Sequence, residues 1–230
     1  MKTRHVFLTG GTGYLGGALI PRLLERGHTV RALVRPGSAG RLPSGCFAVA
    51  GNALDSASFA DAIAPADTFV QLVGVAHPGP TKTQLFREVD LVSARESIAA
   101  AARAGVAHFV YVSVAQPAPV MKSYQAVRAE AEALLRASGL KATILRPWYI
   151  LGPGHRWPVL MTPLYWLGEF LPATRDGARR TGLVTLTQMA TALVRAVENP
   201  GLDVRVIEVP EIRSATLASG ELPANGRNPN

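Results

Sequence analysis

The sequence predicts a doubly wound α/β fold, a parallel sheet covered by helices on both faces. Three observations carry this expectation. Short apolar runs alternate with helix-period segments along most of the chain, the order that builds parallel sheets. The apolar runs lack polar alternation, as strands buried on both faces do. The first run, Val6-Phe7-Leu8-Thr9, passes directly into the glycine cluster Gly10-Gly11-Thr12-Gly13-Tyr14-Leu15-Gly16.

Strands are expected over 5–9, 29–34, 47–50, 68–75, 108–113 and 141–145. Helices are expected over 15–26, 56–64, 82–104, 121–138 and 187–198, from apolar residues recurring at helical spacing. Gly27, Gly105 and Gly139 follow three of these helices, where a left-handed C-terminal cap is common, and Asn199-Pro200-Gly201 follows the last. The connection over 35–46 is rich in Pro and Gly and predicts no full helix. One doubly wound domain is expected over 1–213. It carries a small C-terminal substrate-side cap from about 148 to 200, and a Ser/Gly/Pro/Asn-rich tail over 214–230 is expected to be disordered.

The glycine cluster has the spacing G-x-x-G-x-x-G at Gly10, Gly13 and Gly16. The first glycine permits the tight turn, the second lets a pyrophosphate approach the backbone, and the third lets helix pack on strand. The helix start then offers free N–H groups and a positive dipole end to phosphate. Strand, loop, helix and second strand follow in the order that a dinucleotide site requires.

The 230-residue chain carries a formal charge of +8. No basic run or nucleic-acid motif accompanies that charge, so nucleic acid is not an expected partner. A phosphate-rich cofactor accounts for part of it. One cysteine, Cys46, excludes an intramolecular disulfide and a cysteine metal cluster, and no metal is expected. Met1-Lys2-Thr3-Arg4 leads into the first strand without a secretory leader, which gives the expectation of a cytoplasmic protein.

Arg35 ends the second strand, where the adenosine ribose of a bound dinucleotide would lie. An arginine there suits a 2′-phosphate, so NADP(H) is expected, with NAD(H) as the alternative, and Arg31 and Arg41 are placed to assist.

The chain resembles the short-chain dehydrogenase/reductase superfamily, most closely its atypical and extended branch of NAD(P)H-binding, NmrA-like and NAD-dependent epimerase-like proteins. The resemblance covers about 4–210. It rests on the Thr9–Gly16 loop, on Val110-Tyr111-Val112-Ser113, on Tyr124-x-x-x-Arg128, and on the run from Ser138 through Arg146-Pro147 to Leu151-Gly152-Pro153-Gly154. It implies a Rossmann fold whose cofactor-binding residues are Gly10, Thr12, Gly13, Tyr14, Leu15, Gly16, Arg35, Asn52, Ala53, Val73, Gly74, Tyr124, Arg128 and Pro147. It implies Tyr124 as the acid/base, Ser113 as the ligand of the substrate oxygen, and Arg128 as the partner of tyrosinate and the nicotinamide ribose.

This chain departs from the family pattern at several points. Arg128 stands where the family has lysine, and an arginine cannot relay a proton. Asp90 stands where extended relatives carry Asn, and Asn52 where they carry Asp. An amide oxygen can still accept the adenine amino group.

The resemblance leads to an NADP(H)-dependent oxidoreductase acting on a small or lipophilic carbonyl substrate. The alternative is a non-catalytic NADP(H)-binding redox sensor or accessory subunit, which Arg128 favours. A nucleotide-sugar epimerase or dehydratase fits less well, because the segment after Pro147 is short. The apolar, aromatic stretch 157–172 is too short and broken to span a bilayer. It is read first as a helix packed on the core or on a second subunit, or as a lid over the substrate, and second as a segment contacting a membrane surface. Oligomeric state is left open.

Overall fold

The structure, a computed structural model, describes residues 2–153, 177 and 180–216. Among these residues, seven strands form one sheet in the order β3-β2-β1-β4-β5-β6-β9, and every pairing is parallel. The strands are β1 (His5–Thr9), β2 (Thr29–Val34), β3 (Phe47–Ala50), β4 (Thr68–Gln71), β5 (His108–Val112), β6 (Ala142–Arg146) and β9 (Val204–Glu208). Two short strands, β7 (Tyr149–Leu151) and β8 (Leu183–Thr185), pair with each other outside this sheet. The doubly wound expectation is met.

The two-residue period of the strands sorts their side chains into two cores. On one face Val6, Leu8, Val30, Val70 and Val110 pack against α1 (Tyr14–Glu25) and α5 (Leu186–Glu198), through Leu19, Ile20, Leu23, Met189, Leu193 and Val197. On the other, Phe7, Phe69 and Phe109 stand in register on β1, β4 and β5. Their ring centroids lie 5.3 and 5.1 Å apart, and α3 (Val92–Arg103) and α4 (Lys122–Ala137) cover them through Ile98, Val127 and Leu135. Each fully buried side chain of this kind contributes about 1.5–3 kcal/mol.

Several elements differ from the sequence reading. The expected helix over 56–64 is two 3₁₀ turns, Ser56–Ser58 and Ala60–Ala62. Asp55 caps the first by accepting from the Ala57 N–H, and Phe59, at φ −145°, breaks the helical path. β4 stops at Gln71 because the Gln71 side chain takes the Val73 N–H (2.9 Å) out of the ladder. The helix expected over 82–104 is segmented. A 3₁₀ turn, Pro80–Lys82, leads into α2 (Thr83–Leu85), a π-helical stretch Phe86–Leu91, and then α3.

β7, β8, β9 and α6 (Val209–Arg213) were not anticipated from the sequence. α5, within the range expected for the cap, packs on α1 in the main core, and β7 and β8 pair outside the main sheet. Gly27, Gly105 and Gly139 take φ of +79°, +66° and +75°, as expected of helix-ending glycines. The stretch 157–172 and the tail from 217 on lie outside the described residues. Before that point Ala215 still packs on the first core. No helix among the described residues is long and apolar enough to cross a membrane.

Candidate functional site

The sheet order reverses between β1 and β4, so their carboxyl ends open a crevice, the position where such sheets bind ligands. Gly10 lies at that point with φ +78°. A Cβ there would meet the Leu72 carbonyl carbon at 3.0 Å, so the loop closes against the start of the β4 exit only with glycine. The Gly13 N–H donates to the Gly10 carbonyl (3.0 Å) and completes the turn. A Cβ on Gly16 would lie 2.5 Å from both the Gly10 and Gly11 carbonyl oxygens, so glycine alone lets α1 start this close to the loop.

Gly13 caps α1 without a side-chain hydrogen bond, and no acidic residue occupies the first turn. The N–H groups and dipole at this end are left to an anion. Thr12 is half-buried, and its carbonyl accepts from Arg41 (3.3 Å). Tyr14 turns its hydroxyl against Gly152, where a Cβ would collide with it, and so joins the loop to the segment after β7. Burial, with Tyr149 adding to it, pushes the Tyr14 phenol up. Leu15 packs on the first core.

Arg35 is exposed just beyond β2, and among the described residues its guanidinium makes no hydrogen bond or ion pair. Arg31 is placed differently from expectation. It donates to the Ala64 carbonyl from the middle of β2 and does not reach the cofactor end. Arg41 does reach the loop. The Asn52 amide oxygen accepts the Leu54 N–H (3.0 Å), and the residue stays exposed, with Ala53 packed on the second core beside it.

The expected catalytic residues divide into two clusters. Arg128, 5% exposed, donates to Asp90, to the Val112 carbonyl (2.9 Å) and to the Tyr111 hydroxyl (3.2 Å). Its guanidinium carbon lies 5.1 Å from the Tyr124 ring centroid, and Phe86 packs on the same ring at 4.9 Å. Asp90, in the π-helical stretch, also accepts the Val75 N–H (3.0 Å). Gly74 roofs the cluster. It is exposed, and a Cβ on it would overlap the Arg128 guanidinium. Val73, half-buried, lies beside it. Burial pushes the Tyr124 phenol above its ordinary value, and Arg128 pulls the other way without restoring it. Burial likewise raises the Asp90 carboxyl, against the pull of Arg128 and the Val75 N–H.

Ser113 belongs to the second cluster. Its hydroxyl donates to Glu132 (2.6 Å), and Glu132 also accepts from Gln116, Arg136 and Arg146. Burial works against the Glu132 carboxylate, but the bonds from Arg146 and Ser113 outweigh it and hold the carboxyl below its usual range. The structure thus brings Tyr124 and Arg128 together and commits the Ser113 proton to a carboxylate in the second cluster. Arg128, expected on the cofactor ribose, is committed to Asp90 and Val112. Pro147 is buried at the end of β6, and its carbonyl accepts the Ala115 N–H (2.9 Å).

Sequence reasoning missed Glu132, Tyr111 and Gln71. Gln71 joins Thr9, Ser93 and the Val73 N–H in a buried network beneath the crevice. A signal for Glu132 existed. Arg128 and Glu132 are four apart on the same α4 stripe as the buried Ala131 and Leu135, and charged residues on an apolar face announce a buried network.

Strand order, glycine loop and uncapped helix start define a dinucleotide-binding domain of the doubly wound type. A profile of the NAD(P)H-binding family matches residues 10–163, and the chain belongs to that family. Nicotinamide dinucleotide is the cofactor class, and the glycine cradle and free α1 N-terminus fit it.

The chain is 28% identical over 216 residues to ceramide reductase of Caulobacter vibrioides, covering 90% of this chain and 65% of that one. It is 32% identical over 115 residues to 3-beta-hydroxysteroid dehydrogenase of Mycolicibacterium neoaurum, covering 47% of this chain and 31% of that one. The chain therefore spans about a third of one of these relatives and about two thirds of the other. Among solved structures, the Bordetella bronchiseptica enzyme WbmH in complex with NAD+ matches with a TM-score of 0.67 at 22% identity, over 90% of this chain and 76% of that one. At that identity the likeness is one of fold.

Proposed function

We propose that this chain is an NADP(H)-dependent oxidoreductase that reduces the carbonyl group of a small or lipophilic substrate, with Tyr124 as the proton donor. The observation that carries the reading is the setting of Tyr124. Its ring is clamped between Arg128 and Phe86 at the cofactor end of the sheet, and its phenol stays protonated well past neutral pH. The reduced nicotinamide, when bound, supplies hydride to the carbonyl carbon. Tyr124 gives its proton to the developing alkoxide, a contribution of about 10²–10⁴ for a positioned acid. Arg128 fixes the ring from below and remains cationic throughout.

The Gly10–Gly16 loop and α1 would hold the pyrophosphate. Arg35 just beyond β2 and Arg41 in the turn after it would hold a 2′-phosphate, which supports NADP(H) over NAD(H). Ceramide and a 3β-hydroxysteroid, named for two relatives, are lipids, which supports the lipophilic end of the substrate range.

A second reading has its own observation. The terminal guanidinium nitrogens of Arg128 and the Ser113 hydroxyl all donate to protein groups, as a binding protein without turnover would permit. NADPH oxidation measured over a panel of lipid and small carbonyls separates the two. Turnover that falls at least about a hundredfold in Tyr124→Phe is expected. Tight NADPH binding with no turnover would establish the second reading instead. Arg35→Ala is expected to erase most of a preference for NADPH over NADH in binding, and an unchanged ratio would remove the 2′-phosphate assignment.

A further inference from the structure

We propose that Asp90 is a positioning residue for Tyr124: paired with Arg128 in a closed, charge-balanced cluster, it keeps the tyrosine hydroxyl protonated, so that the site offers a proton donor and no resident base. This deepens the reading of Tyr124 as the proton donor and rests on it.

The cluster is assembled from three elements. α4 contributes Tyr124 and Arg128, the π-helical stretch contributes Asp90 and Phe86, and β5 contributes Tyr111. Asp90 is fully buried and Arg128 nearly so. Asp90 accepts from Arg128 and from the Val75 N–H (3.0 Å). Arg128 spends its remaining described bonds on Val112 and Tyr111. The loop above carries one more cation, Lys82, whose ammonium is taken up by the carbonyls of Ala76 (2.7 Å) and His77 (3.0 Å).

A lone buried cation beside a phenol favours tyrosinate. Here the cation's charge is met by a carboxylate before it reaches the phenol ring, and that carboxylate itself opposes a second anion nearby. With an amide at 90 one of the two acceptor oxygens, and the bond it takes from Arg128 or Val75, would be lost; the cation would be unbalanced and tyrosinate would become accessible. The identity of one acceptor atom's parent group thus sets the ionisation of a residue it does not touch.

Tyrosinate absorbance titration of the full chain tests this without substrate or turnover. The proteins are wild type, Tyr124→Phe, Asp90→Asn and Asp90→Asn/Arg128→Lys, with circular dichroism to mark the folded range. The transition lost in Tyr124→Phe is expected above the ordinary tyrosine value of about 10 in wild type. It is expected to move down by about one pH unit or more in Asp90→Asn, and further in the double variant. A transition that begins only with unfolding in wild type, and falls into the folded range in Asp90→Asn, counts as the same result.

An unmoved midpoint in Asp90→Asn would overturn the proposal, as would a wild-type midpoint at or below the ordinary value. If Asp90→Asn does not fold, the wild-type midpoint decides the matter. A chain that never reduces a carbonyl overturns the proposed function while leaving this titration readable.

Discussion

At Ser113 a single hydrogen bond separates two roles. Were Ser113 a ligand of the substrate oxygen, its hydroxyl would have to donate outward. It donates instead to Glu132, a carboxylate 1% exposed that four other side-chain bonds also hold. Ser113→Ala is therefore expected to cost stability, about 1–3 kcal/mol for a buried acceptor losing a partner, and to change kcat far less than Tyr124→Phe does. Thermal melts and steady-state kinetics on the same preparations check this. His108 makes a second residue-scale statement. Burial, helped by Arg4, lowers it from its ordinary 6.5 to about 4, and one ring nitrogen bonds the Thr143 hydroxyl at 3.0 Å. A histidine held neutral in the fold contributes stability that is fully present above its unfolded value and is lost as pH falls toward the folded one. Unfolding free energy is thus expected to drop by up to about 3 kcal/mol between pH 6.5 and 4. Denaturant titrations across that range should show the slope in wild type and its absence in His108→Gln.

Among elements, the loop from β1 to α1 was the most legible. Its glycines have steric duties that spacing alone reveals, and the structure places them at the crevice between β1 and β4. Gly16→Ala is expected to push α1 off the loop, cost about 1–3 kcal/mol, and weaken NADPH binding at least tenfold by calorimetry. Unchanged affinity would detach the cofactor from this loop. The segmented helix before α3 was not legible. Its apolar spacing reads as one helix, but the wider π turn at Phe86–Leu91 turns Asp90 inward to Arg128, and no local propensity encodes that partner. β4 was over-extended for a similar reason, since a side chain, Gln71, replaces the ladder acceptor for Val73. The start of α5 carried a signal in full view. Thr185 and Gln188 form a reciprocal capping box, and that spacing marks a helix start in sequence.

Over the whole molecule, alternation of apolar runs and helical segments sufficed for the parallel sheet, because each βα unit announces itself locally. The final strand β9 did not. In Val204–Glu208 only Ile207 is buried and Arg205 is exposed, so it lacks the continuous apolar run of the central strands. The glycine loop at the β1/β4 switch point was legible for the same local reason as the sheet. The settings of Tyr124, Arg128 and Ser113 were not, because they depend on Asp90 and Glu132, which come from elsewhere on the fold or on the helix. The most direct measurement of the central claim follows the hydride itself. Wild-type protein is incubated with NADPH deuterated at the nicotinamide C4 and with a panel of lipid carbonyls, and the products are read by mass spectrometry. Deuterium on the former carbonyl carbon in wild type, and its loss in Tyr124→Phe, is the expected result. NADPH bound in the crevice with no label transferred to any carbonyl would contradict it.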